Sequence, residues 1–92
     1  MVLMKNNISE HMAKKLDIGR DILMDIPKLS ISGNREIYIE NYHSIVEYTS
    51  EIIRIKTRDY ILKIEGAELK LSYISREDLQ ILGIFAQIMF EH

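Results

Sequence analysis

The stretch Asp25-Ile-Pro-Lys-Leu-Ser-Ile-Ser-Gly-Asn34 decides the organisation of the chain, because a helical period ends in it and a strand period begins. Pro27 lacks an N–H and pushes the residue before it out of the helical region, so a helix stops here. Leu29 and Ile31 then alternate with polar residues, which is typical of a strand with one buried face. Gly33-Asn34 predicts the turn that follows.

The same alternation continues toward the carboxyl end. Its apolar positions are Ile37 and Ile39, Ile53 and Ile55, Leu62 and Ile64, and Leu69 and Leu71. Residues 79–90 are apolar on both faces in places, which favours a central or partner-covered strand and leaves a helix open. Breaks recur about every 8–12 residues, as in all-β domains. The sequence therefore predicts an all-β, mainly antiparallel meander, sandwich or small barrel of about six to eight short strands.

A pattern L-x-I-x-G occurs three times. It covers Leu29 to Gly33, Leu62 to Gly66 and Leu79 to Gly83. The simpler interpretation is three strand-to-turn junctions that use glycine for a positive φ. The alternative is a repeated unit of a β-solenoid-like stack, which the unequal spacings disfavour. Structural turns are predicted at Pro27, Gly33, Gly66 and Gly83.

Upstream of Pro27 the pattern is helical. Ser9 and Asp17 are suitable caps for two short segments within residues 9–25, and Gly19 weakens the second. We expect a short amphipathic helix that covers the sheet. The domain division is residues 1–15 as a partly flexible or helical leader and residues 16–92 as a single β domain.

Composition narrows the class of protein. With 92 residues the chain forms one small domain, and its net charge of −2 gives no general attraction to nucleic acid. Cysteine is absent, so no disulfide or thiolate site can form. No apolar run approaches the roughly 18 residues of a membrane span. We therefore expect a cytoplasmic protein with no transmembrane segment and no nucleic-acid partner.

Catalytic chemistry has little support in the sequence. His43 lies near Glu40, but a divalent metal needs three or four convergent ligands, and His11 and His92 lie at the termini. No nucleophile elbow or phosphate loop is present. The sequence predicts no catalytic residue, no metal and no cofactor, and hence a protein that is not an enzyme.

Surface residues give a better argument for interaction. Tyr38 alternates away from the apolar row of its strand, and tyrosines on outer faces often mark contact surfaces. Arg54, Lys56 and Arg58 share one face by the period of two. They either bind RNA or lipid headgroups or pair with glutamates of neighbouring strands, among which are Glu47, Glu65 and Glu68. The predicted interaction surface comprises Tyr38, Glu40, Asn41, Tyr42, His43, Arg54, Lys56 and Arg58.

Asp25 to Gly33, followed by Ile39-Glu-Asn-Tyr42, resembles the YabP/YqfC family of sporulation proteins, and its YqfC branch more closely. The resemblance spans about residues 16–90. It continues through Ile45-Val-Glu-Tyr48, Ile53-Arg-Ile-Lys-Thr57, Leu62 to Leu71, and Leu79-Gln-Ile-Leu-Gly83-Ile84. Two departures occur: Tyr42 stands where the family usually has histidine, and Arg58-Asp59-Tyr60 replaces its usual glycine turn.

The resemblance implies a non-enzymatic role in endospore formation and spore morphogenesis, in the mother cell. It implies protein–protein contact with a membrane-associated sporulation partner, which would make the protein membrane-peripheral. The open edges expected of such a small sheet also suggest either a homo-oligomer or the addition of a strand to a partner. The alternative is a small ligand-, lipid- or RNA-binding β module that uses the Arg54, Lys56 and Arg58 face.

Overall fold

The computed structural model of the chain describes residues 26–92. The predicted helix within residues 9–25 and the leader lie outside the described residues. Six strands follow: β1 (Lys28–Ser32), β2 (Glu36–Glu40), β3 (Ser44–Tyr48), β4 (Ile52–Lys56), β5 (Ile61–Ile74) and β6 (Asp78–Glu91). This part of the chain contains no helix long and apolar enough to cross a bilayer.

The strands form one antiparallel sheet in the order β1-β2-β6-β5-β4-β3. The predicted all-β, antiparallel class is confirmed, and residues 79–90 form a central strand. The sheet stays open, with β1 and β3 at its edges, so the described residues form neither a closed barrel nor a solenoid. Most neighbours are consecutive hairpins, whereas β2 and β6 are distant in sequence.

The long central hairpin of β5 and β6 carries a shorter hairpin at each end. The first half-sheet contains β1, β2, residues 78–82 of β6 and residues 70–74 of β5. The second half-sheet contains β3, β4, residues 61–65 of β5 and residues 87–91 of β6.

The connection from Glu40 to Ser44 requires the two half-sheets to bend toward each other. It spans four peptide units, at most about 15 Å. If β6 were straight, its two ends would lie about 45 Å apart. Glu40 lies beside the first end of β6, and Ser44 lies in the half-sheet that contains the other end. The connection is too short to join them across a flat sheet. The register of β5 against β6 shifts at three places between Glu65 and Tyr73, and such bulges bend strands.

The core lies on one face of the bent sheet. Each half-sheet supplies four side chains with no exposed surface, and Leu69 and Phe85 lie between them at 4% and 7% exposure. The eight are Ile37, Ile39, Leu79 and Ile81 in the first half-sheet, and Ile53, Ile55, Leu62 and Ile64 in the second. All ten residues form one cluster, so the concave face of the sheet holds a single core.

The predicted turns at Gly66 and Gly83 are wrong. Both glycines lie inside the 14-residue strands, at or next to shifts in register. A Cβ at Gly66 would overlap the carbonyl oxygen of Ile84, so this glycine permits close backbone approach rather than a turn. Gly33 does lie in the turn between β1 and β2, with a φ of 54°.

Three of the connections are closed by a hydroxyl residue. Thr49, Thr57 and Ser75 each donate a backbone N–H to the carbonyl of the residue three positions later, at 2.8, 2.9 and 2.8 Å. Their side-chain oxygens also accept a backbone N–H from that residue, at 2.8, 3.2 and 3.2 Å. These turns fix where β4, β5 and β6 begin.

Candidate interaction surface

Tyr38 lies on the outer face of β2, opposite the buried Ile37 and Ile39. Its hydroxyl donates to one oxygen of Asp78, whose other oxygen accepts from Ser75. The bond to Asp78 raises the pKa of Tyr38 to about 12, and the bonds from Ser75 and Tyr38 lower the pKa of Asp78. The phenol therefore stays protonated and the carboxylate ionised near pH 7, and neither is poised for proton transfer.

An open depression of about 410 Å³ lies beside this pair. Its lining residues are Tyr38, Glu40, Asn41, Ser75, Glu77 and Asp78. Three of these are acidic and none is basic. Residues 26–92 contain no group of three or more acidic, histidine or cysteine side chains arranged to hold a metal ion. The depression therefore presents carboxylates and an amide, which suit a partner that offers hydrogen-bond donors or positive charge.

Asn41 and Tyr42 connect the two half-sheets. Asn41 has a left-handed backbone, with a φ of 64°, and its side-chain amide donates to the carbonyl of Ile26 at 3.1 Å. Tyr42 packs against the core, and its hydroxyl donates to the carbonyl of Ser75 at 2.5 Å. The Ile39-Glu-Asn-Tyr42 segment is therefore in large part a structural joint.

Two of the three basic residues of the predicted surface, Arg54 and Arg58, are engaged in ion pairs. Arg54 lies 3.4 Å from Glu47 and 3.3 Å from Glu91, on strands β3 and β6. Arg58 lies beyond the end of β4 and pairs with Asp59 at 3.0 Å, which lowers the pKa of that carboxyl. Lys56 alone of the three has no ion pair within residues 26–92. Cross-strand pairing to Glu47, one of the two alternatives for Arg54, is present.

The predicted surface therefore divides between the two half-sheets. Tyr38, Glu40 and Asn41 line the acidic depression of the first. His43 joins the second, since its N–H donates to the carbonyl of Lys56 at 2.8 Å. Arg54, Lys56 and Arg58 belong to the second half-sheet and its turn.

Sequence reasoning missed the role of Asp78. The segment Ser75-Arg-Glu-Asp78 is a turn by sequence and by structure, but only the strand order brings Asp78 next to Tyr38. Local spacing contains no signal for that contact, because 40 residues separate the two.

An apolar patch on the outer face was also missed. We define the apolar outer patch as Ile52, Ala67, Leu82, Ile84 and Ala86. Leu82 and Ile84 remain 39% and 38% exposed. All members of the patch except Leu82 line a depression of about 530 Å³, together with Glu51, Glu65 and Gly66. Among residues 26–92, the charged residues in its lining are the glutamates Glu51 and Glu65. Exposed apolar surface with a polar rim is a feature of interaction sites.

Comparison with known proteins extends these observations. A sequence model of the YabP family matches residues 25–92, which include the whole described sheet. The chain is 25% identical over 79 residues to the uncharacterized protein YqfC of Bacillus subtilis (strain 168), covering 86% of this chain and 85% of that protein. No solved structure matches significantly. The chain belongs to the YabP family, a family associated with sporulation.

Proposed function

We propose that this protein acts in the mother cell during endospore formation, without catalysing a reaction, by binding a membrane-associated sporulation partner. The observation that carries the proposal is the family match across residues 25–92. It extends over all six strands, so the family relationship concerns the domain as a whole.

Hydrogen bonding within the candidate surface supports a binding role. The hydroxyl of Tyr42 and both oxygens of Asp78 are engaged by neighbouring groups, which fixes the shape of the acidic depression. Rigid polar groups beside exposed apolar side chains are what a protein–protein contact uses. The contact surface in this proposal is the acidic depression together with the apolar outer patch.

A compartment-specific complementation experiment tests the cellular role. In a spore-forming host that lacks the gene, expression from a mother-cell promoter should restore the count of heat-resistant spores. Expression from a forespore promoter should not. Restoration from the forespore promoter alone would contradict the proposal.

Recovery of partners tests the contact surface. A tagged chain cross-linked in sporulating cells should recover membrane proteins, and the double change Glu40→Lys and Glu77→Lys should reduce that recovery strongly. Arg76→Glu, on the same turn as Glu77, is the control that should leave recovery unchanged. Equal recovery by all three proteins would remove the acidic depression from the contact surface.

The alternative of a lipid- or RNA-binding module receives less support. It needs a free basic row, whereas Arg54 and Arg58 are in ion pairs with Glu47, Glu91 and Asp59. A binder of this kind would show affinity that falls steeply with salt.

A further inference from the structure

Strand β1 leaves one edge of the sheet unpaired within the described residues. Ile31 lies directly opposite Ile37, on the core face, yet it is 51% exposed whereas Ile37 is fully buried. Within residues 26–92, no strand lies beyond β1 to cover Ile31. The core face of the sheet therefore continues to this edge as exposed apolar surface.

The backbone of β1 offers hydrogen bonds at this edge. The carbonyl of Ser32 accepts the N–H of Arg35 at 3.2 Å, so the polar groups of Ser32 point toward β2. Backbone groups alternate in direction along an antiparallel strand. The N–H and C=O groups of Leu29 and Ile31 consequently point to the open edge.

The two edges of the sheet differ in protection. At β3 the register shifts between Ile45 and Glu47, and Glu47 is paired with Arg54 on the adjacent strand. Bulges and charged side chains are the usual devices that prevent pairing at an edge. By contrast, β1 pairs regularly with β2 over all five residues. Pro27 precedes β1 and has no N–H to donate, so it hinders pairing with a further strand only at that end of β1.

We propose that β1 pairs antiparallel with β1 of a second copy of this chain, about a two-fold axis at Ser30. In this register Leu29 of each copy faces Ile31 of the other. Both residues have outward backbone groups, so the two pairs exchange four hydrogen bonds. The apolar side chains of both copies then meet on the core face and cover the exposed part of Ile31.

The outer face fits the same register. Lys28 of one copy faces Ser32 of the other, and the next residue in that row is Glu36, which is the β2 partner of Ser32. Serine is small, so the lysine can extend over it toward the glutamate. No like charges face each other, and this makes the edge self-complementary.

The contact is small, so the dimer depends on concentration. Two five-residue strands bury much less than the ~1,200 Å² of a stable interface. The pairing is therefore a reversible association, strengthened wherever the chain is held at high local concentration. It does not depend on the proposed sporulation partner.

A single-cysteine cross-link tests the register directly, because the chain has no cysteine of its own. Ser30 of one copy faces Ser30 of the other as a non-hydrogen-bonded pair, with Cα atoms about 4.5 Å apart. Disulfides form at such separations. Purified full-length Ser30→Cys should form a covalent dimer under mild oxidation about tenfold faster than Ser44→Cys, whose cysteine lies on the β3 edge.

Two further variants separate pairing from folding. Ile31→Lys places a charge on the core face of the edge and should slow the Ser30→Cys cross-link to the Ser44→Cys rate, with an unchanged circular dichroism spectrum. Val46→Lys, at a β3 side chain of 50% exposure, is the matched control and should leave cross-linking unchanged. Equal rates for Ser30→Cys and Ser44→Cys, or no effect of Ile31→Lys, would overturn the proposal.

Discussion

Gly66 and Gly83 occupy equivalent places in β5 and β6, each next to one half-sheet. The N–H of Gly66 donates to the carbonyl of Glu51 at 3.0 Å, and the N–H of Gly83 donates to the carbonyl of Arg35 at 3.1 Å. Both acceptors lie in the turn of the short hairpin that flanks the glycine. The same correspondence holds for the buried residues Leu69 and Phe85, which donate to Ser50 and Asn34. The sheet therefore has approximate internal two-fold symmetry.

Gly66→Ala should be among the most damaging small substitutions in the protein. The added Cβ meets the backbone of Ile84 and Phe85, which cannot move aside as a side chain can. We expect a loss of about 3 kcal/mol in the free energy of unfolding, measured by chemical denaturation. Gly33→Ala is the control: it has open space around it and only a positive φ, so it should cost about 1 kcal/mol. A larger loss at Gly33 would contradict this account.

Ile64→Val and Ile81→Val should destabilise the protein equally. Both isoleucines are fully buried, and they face Ile53 and Ile37 at corresponding places in the two half-sheets. Each change removes one methylene and should cost about 1 kcal/mol in the free energy of unfolding. Ile31→Val, at the exposed edge, should stay within about 0.5 kcal/mol of the parent. Unequal losses at Ile64 and Ile81 would show that the two halves of the core are packed differently.

Stability should fall at high pH because of Tyr38. Its pKa is raised to about 12 in the folded protein, above the ordinary value of 10.0. The contribution of this group to stability is therefore complete below pH 10 and is lost as the pH rises through 12. Absorbance titration should show one tyrosine that ionises near 12, and Tyr38→Phe should remove that step. Tyr48→Phe should retain it.

Thr57→Val should cost more stability than Thr49→Val. Thr57 is 2% exposed, and its hydroxyl donates to the carbonyl of Tyr60 at 2.8 Å and accepts its N–H at 3.2 Å. Without the hydroxyl the part-buried N–H of Tyr60 loses its partner, while the carbonyl of Tyr60 keeps the N–H of Thr57; the cost should be about 1 kcal/mol. Thr49 makes the same bonds to Ile52 at the surface, where water can replace them. Thermal and denaturant unfolding of both variants would check the order, and a reversed order would contradict it.

Local patterns predict the strands and leave their arrangement open. Ile37 and Ile39, like Ile53 and Ile55, alternate with polar residues, and this alternation correctly predicts the all-β class and the buried face of each strand. It does so because a strand with one buried face requires an apolar residue at every second position. The pairing of β2 with β6 depends on contacts between distant residues, and no local pattern encodes it. For the same reason the sequence predicts turns at Gly66 and Gly83: a bulge becomes visible only when the partner strand is known.

The three occurrences of the L-x-I-x-G pattern do not share one structural role. The segments ending in Gly66 and Gly83 are corresponding parts of β5 and β6, whereas the segment ending in Gly33 is an ordinary strand and turn. The preferred interpretation as three strand-to-turn junctions therefore holds for one of the three. In the candidate surface, the spacing places Tyr38 on the outer face correctly but does not reveal that Tyr42 packs against the core.

The pairing of β2 with β6 sets the order in which the sheet assembles. Strands β3, β4 and β5 are joined by successive short turns, so their contacts close small loops and form early. Strand β2 pairs with β6, and this contact closes a much larger loop because the paired residues Tyr38 and Gln80 are 42 positions apart in the chain. We therefore expect the β1–β2 hairpin to dock last and to open first. In native-state hydrogen exchange, amides of β2 should exchange through a lower-energy opening than those of β4, although both strands carry fully buried isoleucines.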